Sequence, residues 1–124
     1  MTLRLPAIDG LDTEVGLEAT GGDRALYLRL LARFVELHQG DAASWPALLA
    51  AGDAALAIRQ VHRLRGAAAT LGLTRVTEST ARFEQCLREQ GAGAATVVHM
   101  VDAQVELDRA LRALRAVLPA GPVK

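Results

Sequence analysis

Aromatic residues are scarce in this chain, at 3% of its 124 positions, and β-branched residues are few outside short valine clusters. Both shortages disfavour a sheet. Cys86 has no second cysteine to pair with, so an intrachain disulfide is excluded and a reducing compartment is the simplest reading. Charge of one sign is missing too: 14 Lys and Arg balance 14 Asp and Glu. Without a global basic field, nucleic acid is not an expected partner. No apolar run approaches the roughly 20 residues of a membrane span. The opening MTLRLPAIDG lacks the apolar stretch of a signal peptide. The expectation is a cytoplasmic domain with no direct membrane insertion.

What is present points to helices. Half the chain is hydrophobic (51%), much of it alanine and leucine, a composition suited to helices packed closely through small side chains. Residues 1–22 carry Pro6, Gly10, Gly16, Gly21 and Gly22 and read as an extended lead-in, with a short helical turn near Asp12 to Leu17. Asp23 sits where an N-cap belongs, ahead of a stripe of Leu26, Leu30, Phe34 and Leu37 widened by Leu31 and Val35. DAASWPALLAAG follows, capped by Asp41 or Ser44, as a new helix or a kinked continuation. Asp53 caps a helix to Leu71, Gly72 ends it, and Thr74 caps another running to about Gln90. After GAG at 91–93, a last helix carries Val101, Val105, Leu111, Leu114 and Leu118 as its stripe. The expected fold is all-α: an antiparallel four-helix bundle over 23–118 with short links, preceded by the lead-in and followed by a flexible tail at 119–124.

One stretch does not fit a purely structural account. HRLRGAAATLG, residues 62–72, places a glycine inside an alanine-rich helix. Glycine costs about 1 kcal/mol there relative to alanine. At 100° per residue, Ala57, Val61, Leu64, Ala68 and Leu71 form the core stripe and His62 faces away from it. Gly66 lies one turn on and clears the flank of the imidazole, and Arg65 supplies a forked cation suited to phosphate. Neutral imidazole is a competent nucleophile near pH 7. An exposed nucleophile, cleared space and a nearby cation describe a phosphoryl acceptor. The ring also needs a fixed tautomer. The next helix returns antiparallel, which brings the window 82–86, and with it Glu84, level with His62. Thr77, Thr80, Ala81, Glu84 and Arg88 share one face of that helix, with Phe83 and Leu87 turned to the core. Ile58, Arg59, Ala69 and Leu73 lie around His62 and form a small patch for a docking partner.

These residues resemble the histidine-containing phosphotransfer (HPt) domain of bacterial multistep phosphorelays. The motif reads here as HRLRG followed by AAATLG, with ARFEQC similar to the family's segment on the next helix. Upstream, GGDRALYLRLLARF and AAGDAALAIRQVH resemble its first long helix and its approach to the histidine. The likeness covers about residues 20–116. It implies phosphoryl exchange between His62 and the aspartate of a response-regulator receiver domain. Arg65 stands at the family's lysine, Gly66 at its first glycine and Glu84 at its imidazole-orienting residue. It also implies a phosphoryl carrier, not an enzyme, with no cofactor of its own and a divalent cation in the receiver. LPAIDG is similar to what precedes such domains at the end of hybrid sensor kinases. The chain is then either free-standing or a module of a parent kinase, on the cytoplasmic side of the membrane, and monomeric.

Other readings compete. One is a docking module that has lost phosphotransfer. Another is a metal enzyme using His38, His62, His99 and Cys86, which lie on four segments without close-spaced pairs. A third is a plain structural bundle, which would label at no histidine. A kinase dimerisation domain usually has an acidic residue after its histidine, where this chain has Arg63. Tyr27 and Trp45 read as packing residues or partly exposed anchors, His38 as a histidine at a helix C-terminus, and His99 as solvent-facing.

Overall fold

The computed structural model describes residues 5–118, so the tail expected at 119–124 and the first four residues of the lead-in lie outside the described residues. Six helices follow one another: α1 (Thr13–Ala19), α2 (Arg24–His38), α3 (Asp41–Ala50), α4 (Ala54–Leu71), α5 (Thr74–Gln90) and α6 (Ala94–Val117). No strand forms among the described residues, and none of their helices is long and apolar enough to cross a membrane. The fold is an all-helical bundle, with α5 packed against both α4 and α6.

Local chemistry sets the boundaries. The side chains of Asp12, Asp23 and Asp53 accept from backbone N–H groups in the first turns of α1, α2 and α4. Gly72 closes α4 at φ 83°, a left-handed value that suits glycine. Two expected caps are absent. Gly40, not Asp41 or Ser44, stands at the N-cap of α3 without a side-chain bond, because Asp41 Oδ2 instead meets His38 Nδ1 at 2.7 Å. Leu73 precedes α5, and Thr74 turns its hydroxyl to the Gly10 carbonyl. Pro46 falls inside α3, where it cannot donate to the carbonyl four residues back. That orphan, Ala42 O, accepts from Gln104 Nε2 of α6 at 2.9 Å.

The core stripe of α4 is Ala57, Val61, Leu64, Ala68 and Leu71, as the periodicity requires. Two other stripes are corrected. In α2 the buried face is Tyr27, Leu31, Phe34 and His38: Phe34 and Leu31 of the expected stripe hold, Tyr27 and His38 join them, and Leu30 and Leu37 are exposed. Tyr27 anchors that face. Its hydroxyl donates to Leu71 O at 2.7 Å, and its ring fills the space a side chain on Gly16 would take. In α6 the core takes Met100, Ala103, Leu107, Leu111 and Leu114, leaving Val101 and Val105 exposed. Ala103 is fully enclosed there. Trp45 is fully buried, edge-on to Phe83 at 5.1 Å.

The lead-in is fastened to the α4–α5 turn. Asp12 N donates to Gly72 O at 2.7 Å, Thr74 N to Gly10 O at 2.8 Å, and Arg75 pairs with Asp9 at 2.9 Å. Leu11 and Leu73 form an isolated bridge. Leu73 is therefore corrected: it is 2% exposed and part of the core, not of an outer patch. The helical wheel cannot be carried through Gly72, whose positive φ redirects the chain before Leu73.

Candidate functional site

His62 stands on the middle of α4, opposite the core stripe, with 59% of its side chain exposed. The tight turn at Gly72 and Leu73 brings α5 back alongside α4, and Glu84 arrives level with the imidazole. Glu84 Oε2 lies 2.9 Å from His62 Nδ1. The Glu84 side chain is only 6% exposed, so the solvated carboxylate that an outer helix face would suggest is not what forms. Burial alone would raise its pKa. Hydrogen bonds from Arg88, Arg65 and His62, with the charge of Arg65, outweigh that and bring it down from 4.5 to about 2.

Two guanidiniums hold this carboxylate. Arg65 Nε donates to Oε1 at 2.7 Å. Arg88 donates to Oε2 through Nε at 3.0 Å and Nη2 at 2.7 Å. A second nitrogen of Arg65, Nη2, reaches to 3.1 Å from His62 Nδ1. Arg65 thus lies on the inner, Glu84 side of the ring, not beside the outward Nε2. Arg88 was legible as a neighbour of Glu84, since a carboxylate and an arginine four residues apart on a helix can pair. Its part in the site was not recognised from the sequence.

Gly66 is exposed in ordinary helical geometry, and a Cβ added to it would meet nothing within 4 Å. Nothing inside the molecule therefore requires glycine at this position. Beside it runs a groove of about 300 Å³ between α2 and α4, lined by Leu30, Phe34, Leu37, Ala67 and Leu71 with Arg33 at its edge. A second hollow of about 310 Å³ continues past Leu37 and His38 to Gln60 and Arg63. Of the expected patch, Arg59 and Ala69 are exposed and Ile58 is half-buried against the core. The groove is hidden from the sequence because Leu30 and Leu37, apolar at helical spacing, read as interior residues.

The three histidines are not brought together. His38 is buried with Asp41 and leans on the Phe34 ring, with centroids 4.8 Å apart. His99 is half-buried with Nδ1 enclosed and unpartnered, not turned to solvent. Cys86 is buried against Thr96. Among the described residues, no group of three or more His, Cys, Asp or Glu is arranged to hold a metal ion.

The family model described as Hpt domain fits residues 29–117, which span most of α2 and all of α3 to α6. No curated protein and no solved structure matches the chain. The matched region contains the exposed histidine, its carboxylate and the flanking glycine, and it covers well over half of the sequence. The chain belongs to the Hpt domain family, whose members carry phosphoryl groups in phosphorelays and interact with receiver domains.

Proposed function

We propose that this protein exchanges a phosphoryl group between His62 and the phosphorylated aspartate of a response-regulator receiver domain. The observation that carries the reading is the pairing of His62 Nδ1 with a buried, ionised Glu84 at 2.9 Å while the rest of the ring stands in solvent. A carboxylate that accepts the Nδ1 proton leaves the Nε2 lone pair pointing outward. That lone pair attacks phosphorus as the P–O bond to the receiver aspartate breaks. The aspartate carboxylate takes the electron pair, and the Nδ1 proton stays against Glu84. Transfer in the reverse direction uses the same atoms.

Gly66 gives the incoming group room beside Nε2. The Arg65 guanidinium lies close enough to offset charge on it after a change of side-chain rotamer. The receiver docks on Ile58, Arg59 and Ala69, and the groove beside Gly66 extends that surface to Leu30 and Leu37. An apolar depression with arginines at its edge suits a partner whose own active site is acidic. In this reading α2, α4, α5 and α6 form an antiparallel four-helix core over 23–118. The protein is a cytoplasmic monomer, free-standing or joined to a hybrid sensor kinase. It acts as a carrier without a cofactor of its own, and the divalent cation belongs to the receiver.

The test is exposure of wild type and His62→Gln to a panel of phosphorylated receivers. Acid-labile label on wild type alone is expected. Label on both would overturn the assignment of His62. Receiver binding without label on either would leave a docking module.

A further inference from the structure

Two side chains reach the same nitrogen of the imidazole. Glu84 Oε2 is 2.9 Å from His62 Nδ1, and Arg65 Nη2 is 3.1 Å from it. A ring nitrogen either carries a proton and donates or carries a lone pair and accepts. An ionised carboxylate can only accept, and a guanidinium can only donate. Both contacts cannot be hydrogen bonds at once. With the proton on Nδ1, Glu84 is satisfied and an Arg65 N–H faces a ring N–H. With the proton on Nε2, Nδ1 accepts from Arg65 and a carboxylate oxygen faces a lone pair.

In the resting domain both competitors are held in place. Arg65 is tied by Nε to Oε1 at 2.7 Å, and Arg88 holds Oε2 through two N–H groups. The fork of a guanidinium makes the contest possible, because one N–H grips the carboxylate while another reaches the ring. A lysine ammonium is a single charged point on a flexible stem and has no such planar pair of donors.

We propose that Arg65 is a positioning residue that sets the tautomer of His62. It competes with Glu84 for Nδ1 and keeps part of the population with the proton on Nε2. Its consequence for transfer rests on the phosphoacceptor reading; its direct observable does not. Only the form with Nδ1 protonated presents a lone pair at Nε2, so the loading rate scales with that fraction. Arg65 then holds the resting domain below its full reactivity, and a partner that draws the guanidinium away releases it.

The experiment is ring ¹⁵N NMR of the full chain above the imidazole titration, where an N–H nitrogen and a lone-pair nitrogen have well-separated shifts. Wild type, Arg65→Lys and Arg65→Met are compared, with thermal unfolding as a control on folding. The expected result is intermediate shifts for both nitrogens in wild type and a move in both variants to Nδ1–H with Nε2 bare. Loading of Arg65→Lys, which keeps the charge, rises with the same fraction, at most about twofold for an evenly divided wild-type population. A wild-type ring already wholly in the Nδ1–H form, or a ratio unmoved in both variants, overturns the proposal. If the shifts move as expected and no phosphorylated receiver loads any variant, the phosphoacceptor reading fails and the tautomer assignment stands.

Discussion

Replacing Gly66 by alanine separates the needs of the fold from those of the site. The added Cβ would meet no atom within 4 Å, and the residue lies inside the 18-residue helix α4. With no steric cost, the helix-propensity gain of about 0.5–1 kcal/mol should appear as stability. For a domain of this size that raises the melting temperature by about 2–4 °C. The same methyl group projects into the space beside His62 and at the lip of the α2–α4 groove. Displacing the reacting partner by about 1 Å costs up to about a hundredfold in rate, so transfer from a phosphorylated receiver should fall by about tenfold to a hundredfold. The assays are a calorimetric melt and single-turnover transfer, run on the same preparation. A variant that melts lower would mean that glycine is needed for folding. A variant that melts higher but transfers at the wild-type rate would refute the claim that the cleared flank serves an incoming group.

Three further outcomes follow from the packing and the charges. Glu84 has a folded pKa of about 2 against an ordinary 4.5, so its contribution is present above pH 4.5 and is lost as pH falls toward 2; urea midpoints of wild type and Glu84→Gln should diverge at neutral pH and converge across that window. Gly72→Ala drives a Cβ into the Asp12 carbonyl oxygen at a φ of 83°, and should destabilise by more than the ~1–2 kcal/mol of left-handed strain alone; in a chain lacking residues 1–12 the excess over that strain should vanish from the denaturation midpoint. Gln104→Ala leaves the Ala42 carbonyl without its donor and should cost about 1 kcal/mol in chemical denaturation, whereas the same change in a Pro46→Ala background should cost less, because the helix then supplies the missing N–H.

The sequence was most informative where one periodicity acted alone. On α4 the spacing of Ala57, Val61, Leu64, Ala68 and Leu71 was unambiguous, and it put His62 outside. The length of the α4–α5 link was enough to bring Glu84 level with it. Hydrophobicity places the more plainly apolar Leu30 and Val101 in the stripes ahead of Tyr27 and Met100, because it ranks side chains without knowing which can reach a partner. What buries Tyr27 is a hydroxyl bond to Leu71 and a gap left by Gly16, both long-range facts. Leu73 was misread because one left-handed glycine invalidates a wheel drawn across it. The geometry of Arg65 also depended on tertiary structure: a guanidinium one turn from a histidine can face phosphate or carboxylate, and the position of Glu84 decides between them.

The clasp between Asp9–Asp12 and the α4–α5 turn ties the lead-in to the bundle. The family-model match starts at residue 29, within α2, yet the hem that seals Leu73 and the Tyr27 ring is sewn from Leu11 and Gly16, upstream of it. A version trimmed to the familiar boundaries would keep every chemically active group and still lose the lining at one end of the helix that presents them.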